Sequence, residues 1–122
     1  MSVSAYLEQQ GSWQQAINIA VDMYHFTSNG NLIHDIILRD QLRKTALSVA
    51  SHIAEGKERG NPSEHTASLC SAQASATTLR TLLIISREVG YLTEGEFLEF
   101  EDKIARLIVA IDQSIESLKK NP

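Results

Sequence analysis

The apolar residues of this chain recur every three or four positions through four long segments, separated by clusters of glycine and asparagine. That period is the mark of amphipathic helices. The first segment, about residues 12–27, carries Trp13, Ala16, Ile17, Ala20, Val21 and Tyr24 as its stripe, and Ser28-Asn29-Gly30-Asn31 is expected to end it. The second, about residues 35–55, puts Leu38, Leu42, Thr45, Ala46, Val49 and Ile53 on one face. Leu47, Ala50 and Ala54 fall on a different face, ~100–160° around the helix. Asp40, Lys44, Ser48, Ser51 and Glu55 make the polar strip between the two. An intramolecular bundle explains the first face, whereas the second calls for another partner. Gly56 follows the last periodic residue and reads as the stop, because glycine enters the left-handed conformation without a Cβ clash.

The third segment, about residues 62–89, opens on Asn61-Pro62-Ser63-Glu64. Asn61 suits the N-cap, Pro62 the first helical position, and Glu64 stands three after the cap. Gly90 is expected to close this helix. Its first half is rich in Ala, Ser and Thr; near its end Leu82, Leu83, Ile84 and Ile85 cannot share one face. The fourth segment, about residues 94–119, begins at the capping box Thr93-Glu94-Gly95-Glu96. Its stripe, Phe97, Phe100, Ile104, Leu107, Ile108, Ile111, Ile115 and Leu118, is the cleanest in the chain, and Lys119 and Lys120 suit the dipole at its end. The third helix would be ~40 Å long. Long helices joined by short connections pack antiparallel, so the expected fold is all-α: an antiparallel up-down-up-down four-helix bundle, one domain over residues 1–122.

Composition adds limits to this picture. The single cysteine, Cys70, allows no intrachain disulfide, which fits a reducing cytoplasm. Met1 to Gln10 holds neither a basic run nor a long apolar run and is not expected to be a signal peptide. The longest strongly apolar run, Leu82 to Ile85, is far too short to span a bilayer, so no membrane partner is expected. The formal net charge of −4 argues against a protein that coats nucleic acid. The charge is uneven, however. Residues 39–59 hold five bases against three acids, and residues 88–102 hold six acids and no base. These are either two solvated surfaces or complementary patches that meet across a subunit contact.

Candidate chemistry is sparse. A di-metal bundle needs inward carboxylates on all four helices, two of them in Glu-x-x-His pairs. Asp22-x-x-His25 and His52-x-x-Glu55 supply two pairs, but Thr66 to Arg87 contains no Asp, Glu or His. No metal or cofactor is therefore expected, and His52 reads as a hydrogen-bonded residue at the core boundary. Cys70 lies ~140° around the helix from His65, a poor geometry for an activated thiol. Phosphate-loop, zinc-protease and nucleophile-elbow motifs are absent, and no catalytic residue is assigned. Arg39, Arg43, Lys57 and Arg59 offer a basic track for a phosphate backbone or an acidic partner. No aromatic residues interleave with them, which argues against a base-stacking platform; pairing with the acidic stretch or solubilising the second helix is the favoured reading.

Several segments together carry a resemblance. They are Trp13-Gln14-Gln15-Ala16, Gln41-Leu42-Arg43, the run Ser48, Ser51, His52, Ile53-Ala54-Glu55-Gly56, the basic stretch Lys57 to Arg59, and Gly90-Tyr91-Leu92. In order and spacing they resemble the small bacterial four-helix-bundle proteins of the 23S rRNA intervening-sequence family, relatives of the accessory protein of diversity-generating retroelements. Three positions depart from the family pattern: His52 replaces an Asn, Asn29-Gly30-Asn31-Leu32 replaces a loop with Pro and Glu, and Thr78 and Arg80 replace an acidic pair. The resemblance implies a bundle that assembles into a five-fold, barrel-like homo-oligomer, with molecular function mostly unassigned. The retroelement relatives are basic and bind nucleic acid and a reverse transcriptase, whereas this chain is acidic. The expected protein is a cytoplasmic, non-catalytic homo-oligomer, a pentamer, acting as a structural or adaptor module. Leu47, Ala50, Ala54, Ile84 and Ile85 are its expected interface. An RNA- or DNA-binding accessory protein using Arg39, Arg43, Lys57 and Arg59 is the alternative.

Overall fold

The computed structural model describes residues 11–120. They form four long helices: α1 (Ser12–Thr27), α2 (Ile36–Glu58), α3 (Pro62–Glu88) and α4 (Glu94–Lys120), with a 3-10 turn (Gly30–Ile33) between the first two. Expectations placed on residues 1–10 and 121–122 lie outside the described residues. Each helix packs on the next, α4 returns against α1, and α2 with α3 make the most extensive pair. The contacts run antiparallel. On α1 and α4, Asp22 meets Lys103 at 2.8 Å and Phe26 meets Phe100 edge-on at 5.5 Å. On α3 and α4, Arg80 meets Glu101 and Arg87 meets Glu94. This is the expected all-α, up-down-up-down bundle.

The helix ends follow the local chemistry. Asn61 Oδ1 accepts from the Glu64 amide at 2.9 Å. The capping box is reciprocal: the Thr93 amide donates to Glu96 Oε1 at 2.9 Å, and the Glu96 amide donates to Thr93 Oγ1 at 3.1 Å. Gly90, at φ +87°, closes α3, with the Tyr91 amide reaching back to the Ser86 carbonyl at 2.9 Å. That six-to-one bond is the Schellman closure, and it requires the left-handed residue that glycine supplies.

On α4 the buried residues are Phe97, Phe100, Ile104, Leu107, Ile111 and Ile115, and Ile108 and Leu118 pack at the edge. The core face of α2 also stands where periodicity put it, with Leu42, Thr45, Ala46, Val49 and Ile53 buried and Leu38 beside them.

Two elements correct the sequence reading. On α1 the buried residues are Gln15, Ala16, Ile19, Ala20, Met23 and Thr27; Trp13, Val21 and Tyr24 are 42%, 49% and 40% exposed. Apolar side chains cover more than half of this short helix, so two stripes compete, and packing selects the one with the smaller residues. The second correction concerns Gly56. α2 runs two residues past it, to Glu58, and Gly56 has no positive φ. It is buried against α3, where a Cβ would come within 2.7 Å of His65 Cδ2 and 3.2 Å of Ser68 Cβ. Close approach of two helices, rather than chain reversal, is the use of glycine here. The 3-10 turn, where the sequence pattern indicates only a helix end, buries Leu32 beneath the α1–α2 connection.

Candidate functional site

The exposed half of α1 lies beside the second apolar face of α2. Trp13, Ile17, Val21 and Tyr24 recur at four, four and three positions along α1, which keeps them on one side of the helix. Arg43, Leu47, Ala50, Ala54 and Lys57 do the same on α2. Cations fix the register at both ends. The Arg43 guanidinium lies 4.7 Å from the centre of the Tyr24 ring, and Lys57 Nζ lies 6.0 Å from the Trp13 ring. Between these anchors the two rows border one apolar seam, the α1/α2 furrow. Leu47 is 45% exposed, while Ala50 and Ala54 are half-buried, Ala50 against the core edge. The expected second face of α2 therefore exists, but it is shared with α1, and aromatic residues contribute more to it than the α2 pattern alone indicated.

The expected basic track divides. Arg43 Nε donates to Thr27 Oγ1 at 2.7 Å, and its second nitrogen donates to Ser28 Oγ at 3.2 Å. Thr27 is fully buried and in turn donates to the Met23 carbonyl at 2.7 Å. Arg43 is thus a strap between α1 and α2. Arg39 pairs with Asp40 at 3.0 Å and donates to the Ile33 carbonyl at 3.0 Å, tying the 3-10 turn down. Lys57 and Arg59 are exposed at the opposite end of the bundle.

The acidic stretch is met within the chain. Glu88 and Glu94 face Arg87, Glu101 faces Arg80, Asp102 faces Arg106, and Glu99 lies 3.9 Å from Lys103. Arg80, one of the departures from the family pattern, therefore answers a carboxylate on the neighbouring helix. Ile84 and Ile85 are 38% and 46% exposed, and because they are adjacent they leave α3 in directions ~100° apart.

Of the motif on α2, Ile53 is buried, Ser48 is half-buried, Ser51 and Glu55 are exposed, and Ser48 Oγ donates to the Thr45 carbonyl at 2.8 Å. His52 is half-buried, with Nδ1 3.5 Å from Glu55 Oε2, the boundary position expected of it. Asp22, considered as a metal ligand, serves Lys103 instead. Among the described residues no group of three or more His, Cys, Asp or Glu side chains converges as a metal site, and no helix is long and apolar enough to cross a membrane.

The family model described as 23S rRNA-intervening sequence protein matches residues 8–113. The chain belongs to that family. A solved structure from Bacteroides thetaiotaomicron VPI-5482, described as a protein with unknown function from the S23 ribosomal protein family, is similar in fold. It aligns with a TM-score of 0.80 at 13% identity, covering 86% of this chain and 95% of that one. No curated protein matches. The match to the 23S rRNA-intervening sequence family spans α1, α2, α3 and most of α4.

One polar contact joins the two connections at one end of this family member. Asp35 Oδ1 caps α2 by accepting from the Leu38 amide at 3.1 Å, and Asp35 Oδ2 accepts from the Tyr91 hydroxyl at 3.0 Å. The hydrogen bond to Asp35, then partial burial, then the carboxylate charge hold the Tyr91 phenol above its ordinary value of 10.0. The folded state thus prefers the protonated phenol. The stability it contributes is fully present below the unfolded phenol value and is lost as pH rises through the folded one. A melting series taken upward from about pH 10 should therefore show a loss in the wild type that Tyr91→Phe lacks. Equal alkaline losses in the two proteins would show that the contact does not form.

Proposed function

We propose that this chain is a cytoplasmic, non-catalytic homo-oligomeric module, pentameric as its family resemblance implies, acting as a structural or adaptor unit. The furrow between α1 and α2 carries the reading. A soluble bundle has no need to leave Trp13, Val21, Tyr24 and Leu47 each 40% or more exposed along one line, and contiguous exposed apolar surface of this kind marks interaction sites. Small side chains at Ala50 and Ala54 let a second helix approach closely. The outward Ile84 offers a second contact on the far side of the bundle.

Light scattering over a wide dilution series tests the reading. The expected mass is several times the 13.5 kDa of the chain. A concentration-independent mass of 13.5 kDa overturns it.

Nucleic-acid binding is the second reading, supported by the ribosomal names that the family and its structural relative carry. Arg39 and Arg43 have their donors committed inside the chain, so this reading now rests on Lys57 and Arg59. An RNA anisotropy titration discriminates, because phosphate contacts must weaken steeply with salt. Absence of binding near physiological salt removes this alternative.

A further inference from the structure

The outer side of α4 carries a line that mirrors the furrow. Leu98, Asp102, Ala105, Val109, Asp112 and Glu116 advance by alternating steps of four and three, which keeps them within ~40° of one line on the helix. All six are exposed, Leu98 and Val109 at 54% and 55%. The antiparallel register set by Arg80–Glu101 and Arg87–Glu94 brings the exposed Ile84 of α3 level with Leu98, widening the apolar end of this line. An open cleft of about 480 Å³ runs beside it, lined by Ala105, Val109 and Ala110 of α4 and Gln15 of α1.

The two lines match in length and in charge order. In the furrow, Arg43 and Lys57 stand fourteen positions apart and bracket Leu47, Ala50 and Ala54. On α4, Asp102 and Glu116 stand fourteen positions apart and bracket Ala105 and Val109, with Asp112 between. Each span is ~21 Å along its helix. Cations close one line and carboxylates close the other. The carboxylates have neighbours on their own chain, Arg106 at 3.0 Å from Asp102, Lys119 at 3.5 Å from Glu116, and Gln73 donating to Asp112, yet all three remain exposed and open to a further cation. Ala50 and Ala54 in the furrow and Ala105 on α4 are small, so two helices can approach closely beside them.

We infer that the α4 line of one copy docks in the α1/α2 furrow of the next. This rests on the assembly reading above and adds to it the second surface and the head-to-tail sense of the contact. Two different patches meet, so the contact is heterologous; it propagates from copy to copy until it closes a ring. The exposed Lys57 at one end supplies the charge complementarity, Arg43 shapes the other end while staying strapped to Thr27 and Ser28, and the aromatic and apolar centre supplies the burial.

The test uses two substitutions at exposed sites, Leu47→Glu in the furrow and Val109→Arg on α4. Circular dichroism and a cooperative melt establish that each variant is folded. Each alone is expected to lose assembly and to run at the 13.5 kDa monomer mass. Mixed, they should form a one-to-one complex and nothing larger, because the L47E protein keeps a working α4 line and the V109R protein keeps a working furrow. Trp13, the sole tryptophan, lies in the furrow, so emission should shift to the blue on mixing. The shift should persist when Trp13→Phe is added to the L47E protein and vanish when it is added to the V109R protein. If V109R assembles like wild type, or the folded variants stay monomeric on mixing, the inference fails while the assembly reading stands. A monomeric wild type overturns both, and binding of an unrelated acidic helix by such a monomer would reassign the furrow to another partner.

Discussion

Gly56→Val is expected to destabilise the bundle by ~2–3 kcal/mol, the scale of overpacking in a close-packed interior. Two terms oppose each other at this site. Any side chain recovers the conformational freedom that glycine loses in a helix, ~1 kcal/mol in the case of alanine. Against this, a Cβ would lie 2.7 Å from His65 Cδ2, 3.2 Å from Ser68 Cβ and 3.4 Å from the His65 carbonyl oxygen. The imidazole is half-buried and can swing away, but Ser68 Cβ and the His65 carbonyl move only with the α3 backbone. Gly56→Ala should therefore cost less than valine, and His65→Ala should recover part of the alanine penalty and little of the valine penalty. Urea unfolding of the three single variants and the two doubles measures this as a coupling energy. A stabilising Gly56→Val would mean that α2 and α3 are farther apart here than described.

Met23→Ala and Val21→Ala should separate just as clearly. Met23 is fully buried at the centre of the bundle, and its truncation is expected to cost ~2–4 kcal/mol through lost burial and the cavity left behind. Val21, two positions away, is 49% exposed. Its truncation should change the stability of the monomeric bundle by no more than ~0.5 kcal/mol. Measuring both in the Leu47→Glu background keeps assembly out of the comparison. The pair is diagnostic because periodicity alone ranks them in the opposite order; a larger cost at Val21 than at Met23 would place the α1 stripe where the sequence pattern put it.

That reversal shows where the sequence was readable. Where one face of a helix is apolar and the other charged, as on α4, phase and boundaries follow directly. Side chains that bond to backbone within three residues, Asn61, Thr93 and Glu96, declare their helix starts because the interaction is local. Gly90 declares its stop for the same reason. On α1 the apolar residues spread too widely for period to choose, and the choice is made by the helices it packs against, α2 and α4, which lie farther along the chain. Gly56 misleads because a stop and a close approach make the same demand on sequence, a missing Cβ, and only the position of α3 tells them apart. Arg43 was legible as a cation but not as a strap, since its partners Thr27 and Ser28 lie across a turn whose geometry no local pattern specifies. The candidate surface was half legible: Leu47, Ala50 and Ala54 stood out on α2, but their aromatic neighbours on α1 had been assigned to the core. The α4 line was hidden behind its acids, which dilute the apolar signal at Leu98, Ala105 and Val109.

The lacing between Asp35 and Tyr91 gives the molecule a direction. Both the α1–α2 and the α3–α4 connections lie at that end, where Arg43 holds Thr27 and Arg87 reaches Glu94 and stacks 4.2 Å from the Phe97 ring. The other end has one connection, residues 59–61, between α2 and α3. Local opening costs least where the fewest buried contacts must break. The bundle should therefore breathe like a clothes peg, hinged at the laced end and parting at the other. Trp13 and Lys57 ride on the moving jaw, so whatever settles in the furrow also clamps the looser half of the fold.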